Sequence, residues 1–239
     1  MLLRRPAGTR SEMSFQIAID GPAGAGKSTI ARRVSEALGF IYVDTGAMYR
    51  AMGLYFLDLG IDTEDENAVN ASLPGARLSL QIIEGGQHVF LNGRDVTGRI
   101  RSEEAGMMAS RTSRYAANRE RMVAMQQEIA RSQNVVMDGR DIGTVVLPDA
   151  TLKIYLTASV QVRALRRYRE LLQKGQTPVL EEIEKDIAAR DDQDMHRKNS
   201  PLRKAEDAVL VDSSDMTIEE VADTITDLAR ARIAEKGSC

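Results

Sequence analysis

A single cysteine, Cys239 at the last position, is all the thiol that this chain of 239 residues contains. Disulfides and cysteine-based metal sites are thereby excluded, and a reducing compartment, the cytoplasm, is the expected location. Long apolar runs are missing as well. No segment approaches the roughly 20 residues of a membrane-spanning helix, and the basic start at Arg4, Arg5 and Arg10 flanks only Leu2 and Leu3, far short of a secretory core. Nor is there an excess of one charge. A formal net charge of −3 gives no overall pull toward a nucleic acid polymer or an anionic membrane, although it leaves room for a local basic pocket. His88 has no acidic or second histidine partner at ligand spacing, so it reads as an ordinary strand residue.

What remains is ordinary for a globular protein. Hydrophobic residues at 43% and charged residues at 28% exclude a disordered chain, and the length suits one generous core carrying insertions. Residues 1–14 have no periodicity and are expected to form a disordered extension.

The strongest local signal is Gly21-Pro22-Ala23-Gly24-Ala25-Gly26-Lys27-Ser28, a complete G-x-x-x-x-G-K-[ST] phosphate loop behind the apolar run 15–19. Small side chains let main-chain N–H groups approach an anion, and the following helix adds its dipole. In that helix Ile30, Val34, Ala37 and Leu38 are expected on the core face. Gly21 through Thr29 are thus expected to bind ATP, with Lys27 among the outer phosphates and the Ser28 hydroxyl on Mg2+. A glycine-rich turn that fits the pattern by accident is the bland alternative; strand, loop and helix in the right order argue against it.

Further short β-runs fall at 40–43, 134–138, 152–156 and 208–212, separated by helical patterns. Five such runs predict an α/β fold with a parallel sheet covered on both faces and ligand loops at the strands' carboxyl ends. The loops after Asp20, Val43 and Asp138 should then meet in one crevice. Residues 62–101 break the alternation: 78–82 and 88–91 have strand character around a turn at 84–87, followed by Asn92-Gly93, which predicts a small antiparallel insert. A helix over 116–131 should bury Met122, Met125, Ile129 and Ala130 and expose Arg119 and Arg121. Between 158 and 199 lie two charged helices. Arg163, Arg166 and Arg167 share one face of the first, and Arg190, Asp194 and Arg197 share one face of the second. Such runs are usually solvated surface, yet arginines on one face, hinged near Ala158 and Pro201, also suit a lid that closes over a triphosphate.

A phosphate loop alone does not say what becomes of the nucleotide. A guanine-reading N-K-x-D is absent, which argues against a GTPase switch, and the chain is small for a helicase or transporter ATPase. A small kinase needs a second anion site, and Arg50, Arg140 and the lid arginines can supply one. The acceptor stays open at this level: a nucleoside monophosphate, a small metabolite, or no acceptor at all in a nucleotide-dependent binding module.

Taken together, Ile19-Asp20-Gly21-Pro22 through Thr29, Asp44-Thr45-Gly46-Ala47-Met48-Tyr49-Arg50, Asp138-Gly139-Arg140-Asp141-Ile142-Gly143-Thr144 with Pro148-Asp149-Ala150, and Arg190-Asp191-Asp192-x-Asp194-x-x-Arg197 with Ser200-Pro201-Leu202 resemble the bacterial cytidylate kinases of the nucleoside monophosphate kinase group. The resemblance implies a three-layer P-loop kinase fold with core 15–61, 102–157 and 200–239, a monophosphate-binding insert at 62–101 and a lid at 158–199. It further implies an enzyme of pyrimidine nucleotide metabolism that phosphorylates CMP and dCMP from ATP with Mg2+; a monomer is expected because no long apolar stripe is left over. By the same resemblance Thr45, Tyr49, Arg50 and Arg140 surround the acceptor phosphate. Ser110, Arg119, Asp141 and Arg197 surround the cytosine, and Arg190 and Asp194 reach the sugar. Lys27, Arg140, Arg163 and Arg167 act during transfer. A fixed carboxylate such as Asp141 attracts the N4 amino group of cytosine and repels the oxygen that uracil carries there.

Overall fold

The structure, a computed structural model, describes residues 14–83 and 86–237. Residues 1–13 of the expected extension therefore lie outside the described residues, whereas the Ser14 hydroxyl donates to the Ala130 carbonyl at 2.9 Å.

Strand β1 (Gln16–Asp20) leads through the phosphate loop into helix α1 (Lys27–Leu38), and β2 (Ile41–Asp44) runs directly into α2 (Thr45–Asp58). After α3 (Glu66–Ser72) come β3 (Leu78–Ile83), β4 (Gly86–Leu91) and the two-residue β5 (Arg94–Asp95). Helices α4 (Glu103–Thr112) and α5 (Ala116–Ser132) precede β6 (Val135–Gly139), a π-helical turn at Ile142–Val146 and β7 (Leu152–Thr157). The charged pair α6 (Val160–Gln173) and α7 (Leu180–His196) then leads to β8 (Val209–Asp212) and α8 (Ile218–Gly237).

The main sheet is parallel throughout, in the order β2-β6-β1-β7-β8. Its strands look uniformly apolar because both faces are covered, but the period of two still sorts them. Ile17, Ile19, Val136, Ile154 and Leu156 pack with Ile30 and Val34 of α1 and Val221 and Ile225 of α8. Ala18, Val135 and Met137 face the other way, onto Met48 and Met52 of α2 and Met122 of α5. Burying each such side chain stabilises the fold by about 1.5–3 kcal/mol, so the two layers together fix the sheet. Ala37, expected on the core face of α1, is exposed; its place is taken by Ala31 and Ser35. Helix α8 opens with the expected reciprocal cap: Thr217 N–H donates to Glu220 Oε2 at 2.8 Å and Glu220 N–H to Thr217 Oγ1 at 3.2 Å.

The insert forms a separate antiparallel sheet, β3-β4-β5, with Asn92 and Gly93 at φ 50° and 79° in the two-residue turn between β4 and β5. Glu84 and Gly85 of the predicted turn lie outside the described residues, and Gly86 and Gln87 belong to β4 rather than to the turn. Gln87 has a task there. Its side-chain amide accepts from Asp44 N–H at 2.8 Å and donates to Asp44 C=O at 3.3 Å, so it clips the insert to the end of β2. His88 does have an acidic partner. The β4–β5 hairpin brings Asp95 Oδ2 to 2.7 Å from its Nδ1, a pairing that linear spacing could not show.

Candidate active site

At the carboxyl ends of β1, β2 and β6 the chain does what the parallel topology requires and gathers three loops. Gly24 and Gly26 take φ of 75° and 89°, values that side chains with a Cβ resist, and a Cβ on Gly21 would overlap the Leu156 carbonyl oxygen. The loop can therefore turn tightly against β7 and present α1 with its first N–H groups unpaired. Lys27 Nζ donates to the Pro22 carbonyl at 2.8 Å, folding back over the loop. Burial, reinforced by the Arg140 guanidinium, pulls its ammonium down to about 7 against the opposing charges of Asp138 and Asp20.

Asp138, at the end of β6, is the hub of the contacts beside the phosphate loop. Its carboxylate accepts from the Ser28 hydroxyl at 2.8 Å and the Tyr42 hydroxyl at 2.9 Å, and its carbonyl accepts from Thr45 Oγ1 at 2.6 Å. Burial and the neighbouring Asp44 push the carboxyl up to about 6, while Lys27 pulls the other way. The same carboxylate raises the Tyr42 phenol, after burial, well above its ordinary range. Asp138 belongs to one of the motif blocks but is not among the site residues expected from the sequence. An acid that ends a buried parallel strand in a chain with a phosphate loop is the signal that could have found it.

Across the crevice the groups are side chains. Arg119 and Asp141 form a buried ion pair, and the Arg119 guanidinium also lies 5.7 Å from the centre of the Tyr49 ring. Arg119, expected on the exposed face of α5, is thus inside. Arg121 is half-buried too, with its guanidinium donating to the Leu73 and Ala76 carbonyls of the insert. Arg197 stands 4.0 Å from Asp141 and 3.8 Å from Asp194, and its Nε donates to the Ser200 carbonyl at 2.7 Å. Arg140 Nε donates to Asp194 Oδ2 at 2.9 Å. Asp141, Asp194 and three arginines therefore form one network across β6, α5 and α7. Two of its donors, Arg119 Nε and Arg197 Nη2, are buried and have no hydrogen-bond partner among the described residues. Burial pushes the Tyr49 phenol up to about 12.

The remaining predicted residues are more scattered. Arg50 is exposed and lines a cavity of about 60 Å³ with Tyr42, Asp44 and Gln87. Ser110 is half-buried on α4, and Arg190 is exposed on α7. The three lid arginines of α6 do not act as one face. Arg163 is buried and fully engaged: its Nε donates to Ala158 C=O at 2.9 Å, Nη1 to Ala23 C=O at 3.0 Å, and Nη1 and Nη2 to Asp191 at 3.1 and 2.6 Å. Arg166 donates to Ser213, and only Arg167 stays on the surface, 3.0 Å from Glu170.

Ser28 and Asp138 offer hard oxygen donors at the phosphate loop, a set that fits Mg2+ shared with nucleotide phosphates. Among the described residues no group of three or more His, Cys, Asp or Glu side chains could hold a metal by itself. No described helix is long and apolar enough to cross a membrane.

Comparison with known proteins places these features in a wider context. Residues 17–231 match the family model described as cytidylate kinase. The chain is 50% identical over 216 residues to the cytidylate kinase of Shouchella clausii, covering 90% of this chain and 96% of that one. It is 49% identical over 214 residues to the cytidylate kinase of Caldicellulosiruptor bescii, covering 90% and 95%. A solved gluconokinase from Sinorhizobium meliloti 1021 is a far more distant likeness, at 14% identity and a TM-score of 0.49 over 94% of this chain and 95% of that one.

Proposed function

The chain belongs to the cytidylate kinase family, enzymes that phosphorylate CMP and dCMP from ATP, and on that premise we propose how its residues divide the work. The observation that carries the reading is the buried Arg119–Asp141 pair with unpartnered N–H groups on Arg119 and Arg197 beside it. Cytosine completes such a site: its N4 amino group donates to Asp141, and its O2 and N3 accept from the arginines. Uracil would set an oxygen against the carboxylate and leave the site's buried groups unpaired, which can cost a factor of roughly 10^4 in rate. Tyr49 and Ser110 wall this pocket, and Arg190 and Asp194 reach the sugar.

On the donor side Gly21 through Thr29 cradle the ATP phosphates with main-chain N–H groups, and Lys27 leaves its Pro22 carbonyl to lie along them. Ser28 and Asp138 would hold Mg2+, which when bound would supply Lewis-acid charge stabilisation for the phosphates. Thr45, Arg50 and Arg140 grip the acceptor phosphate. One of its oxygens forms the new bond to the γ-phosphorus while the bond to the bridging β,γ oxygen breaks, and ADP leaves. That oxygen is already anionic, so no protein base is needed; fixed charge and alignment do the chemistry. Arg163 supplies charge from a fixed place beside Ala23, and Arg167, held only by exposed pairs, is free to swing inward. The insert at 62–101 and the lid at 158–199 are the parts that close, on a chain acting as a monomer.

The test is ADP release measured with each nucleoside monophosphate in turn. Turnover with CMP and dCMP far above that with UMP is expected. Equal rates with UMP and CMP would remove Asp141 from the role of base reader.

A further inference from the structure

Asp20 is the last residue of β1, one position before the phosphate loop, and although its charge is felt at Lys27, its side chain makes its hydrogen bonds to the loop after β6. It is buried, at 4% exposure, and its two oxygens accept from Ile142 N–H and Gly143 N–H, each at 2.7 Å. Those amides are the first two after Asp141, at the opening of the π-helical turn, where backbone donors have no partner within the turn. Asp141 itself caps that turn with φ −146° and ψ 25°, and its carbonyl accepts from Val145 N–H at 2.9 Å and Val146 N–H at 3.2 Å, so the turn whose open end Asp20 satisfies is the one that carries the Asp141 backbone. In the sheet, Asp20 lies opposite Gly139, two residues before Asp141 on the neighbouring strand.

The seat is also closed from the far side. A Cβ on Gly143 would stand 3.4 Å from Asp20 Oδ2 and 3.1 Å from Lys153 Cδ, leaving the loop little room to shift. Side-chain contacts hold Asp141 from the front through Arg119, and Asp20 holds its backbone from behind.

We infer that Asp20 is a positioning residue for the acceptor: by clamping two consecutive amides it sets where Asp141 and Arg140 stand relative to the phosphate loop that begins at Gly21. This rests on the reading of Arg140 and Asp141 as the grip on CMP. Misplacing a reading group by a fraction of an ångström weakens one nucleotide's site and spares the other, and this asymmetry distinguishes positioning from general destabilisation.

The test uses Asp20→Asn and Gly143→Ala in the full chain, with KM for CMP, UMP and ATP measured alongside Asp141→Asn as reference. An asparagine amide turns one acceptor into a donor facing an N–H. Asp20→Asn is therefore expected to raise KM for CMP by about tenfold or more and to narrow the CMP-over-UMP preference, with KM for ATP held within about twofold. Gly143→Ala leaves the carboxylate intact and shifts the amide. It should move the same two quantities in the same direction, and it carries the test if Asp20→Asn does not fold. Equal rises in KM for both nucleotides, or a loss of kcat with the CMP-over-UMP ratio intact, would overturn the inference. Should Asp141→Asn lose the preference while both seat variants keep it, this inference alone falls. Should Asp141→Asn keep it, the reading of Asp141 falls and takes this inference with it.

Discussion

The proposed donor half of the site is assembled from neighbours in the chain, Gly21 through Thr29, and in that reading works mainly through its backbone. The proposed acceptor half draws on Thr45 to Arg50 and on Arg119, Arg140, Asp141, Asp194 and Arg197, the last five being guanidinium and carboxylate groups held by one another. A backbone cradle tolerates few residue types but hardly depends on distant ones. A side-chain network accepts many sequences locally and depends on every member. Damage to the first should therefore abolish turnover without preference, and damage to the second should change which nucleotide is accepted.

The sharpest way to break that contrast is Lys27→Ala, expected to lower kcat/KM by about 10^3-fold or more for CMP and UMP alike. Because Lys27 carries a buried charge held near 7, its melting temperature should not drop; a variant that unfolds, or one that keeps its activity, contradicts the donor reading. Next in size, Asp141→Asn should cost about 10^2-fold in kcat/KM for CMP, far less for UMP, and leave KM for ATP in place. Steady-state kinetics with both acceptors would decide it.

Asp138 sharpens the comparison through pH. Its folded-state value of about 6 lies above the ordinary 3.8, so between pH 4 and 6 the folded chain holds a proton that the unfolded chain has lost. Stability from this group is thus present below pH 4, falls as pH rises through that window, and stays reduced above 6. Asp138→Asn, inactive but relieved of the buried charge, should be more stable than the parent by about 3 kcal/mol at pH 7.5 and no more stable at pH 4. Thermal melts at both pH values check it, and a gap that does not change with pH would refute it. Arg167→Ala should lower kcat by about tenfold with unchanged melting, since its exposed pair with Glu170 is worth under about 1 kcal/mol. The smallest effect belongs to Gln87→Ala. Losing the clip to Asp44 should raise KM for CMP about threefold and leave KM for ATP alone.

The same contrast explains what is legible in the sequence. The phosphate loop can be read whole, because its job is local and its glycines have backbone reasons to be there. The five-stranded parallel sheet can be read from short apolar runs, since strands covered on both faces need little else. The acceptor half is legible as motif blocks, but its internal partnerships are not. Helical periodicity puts Arg119 and Arg121 on the outside of α5, and only the return of the chain at β6 and the insert gives them acids and carbonyls to meet. Arg163 looks like one more charge on a solvated face because Asp191, which pairs with it, is 28 residues away on another helix. Gln87 reads as a turn residue next to glycines, since its partner Asp44 lies 43 positions earlier. In each case local pattern sorts a polar side chain outward, and a partner far off in the chain draws it in.

One of those hidden partners bears on how the proposed lid is fastened. Arg163 is bolted to Asp191, to Ala158 and to the phosphate loop at Ala23. Breaking a buried pair of this kind costs about 3–5 kcal/mol, whereas the outward contacts of Arg167 and Lys174 with Glu170 cost under about 1 kcal/mol each. A hinge at Ala158, where the helix begins, would have to tear these contacts, whereas one beyond the first turn of α6 would cost only the surface pairs: were the segment to move as a gate, its post would stay set beside the phosphate loop while its outer half swung.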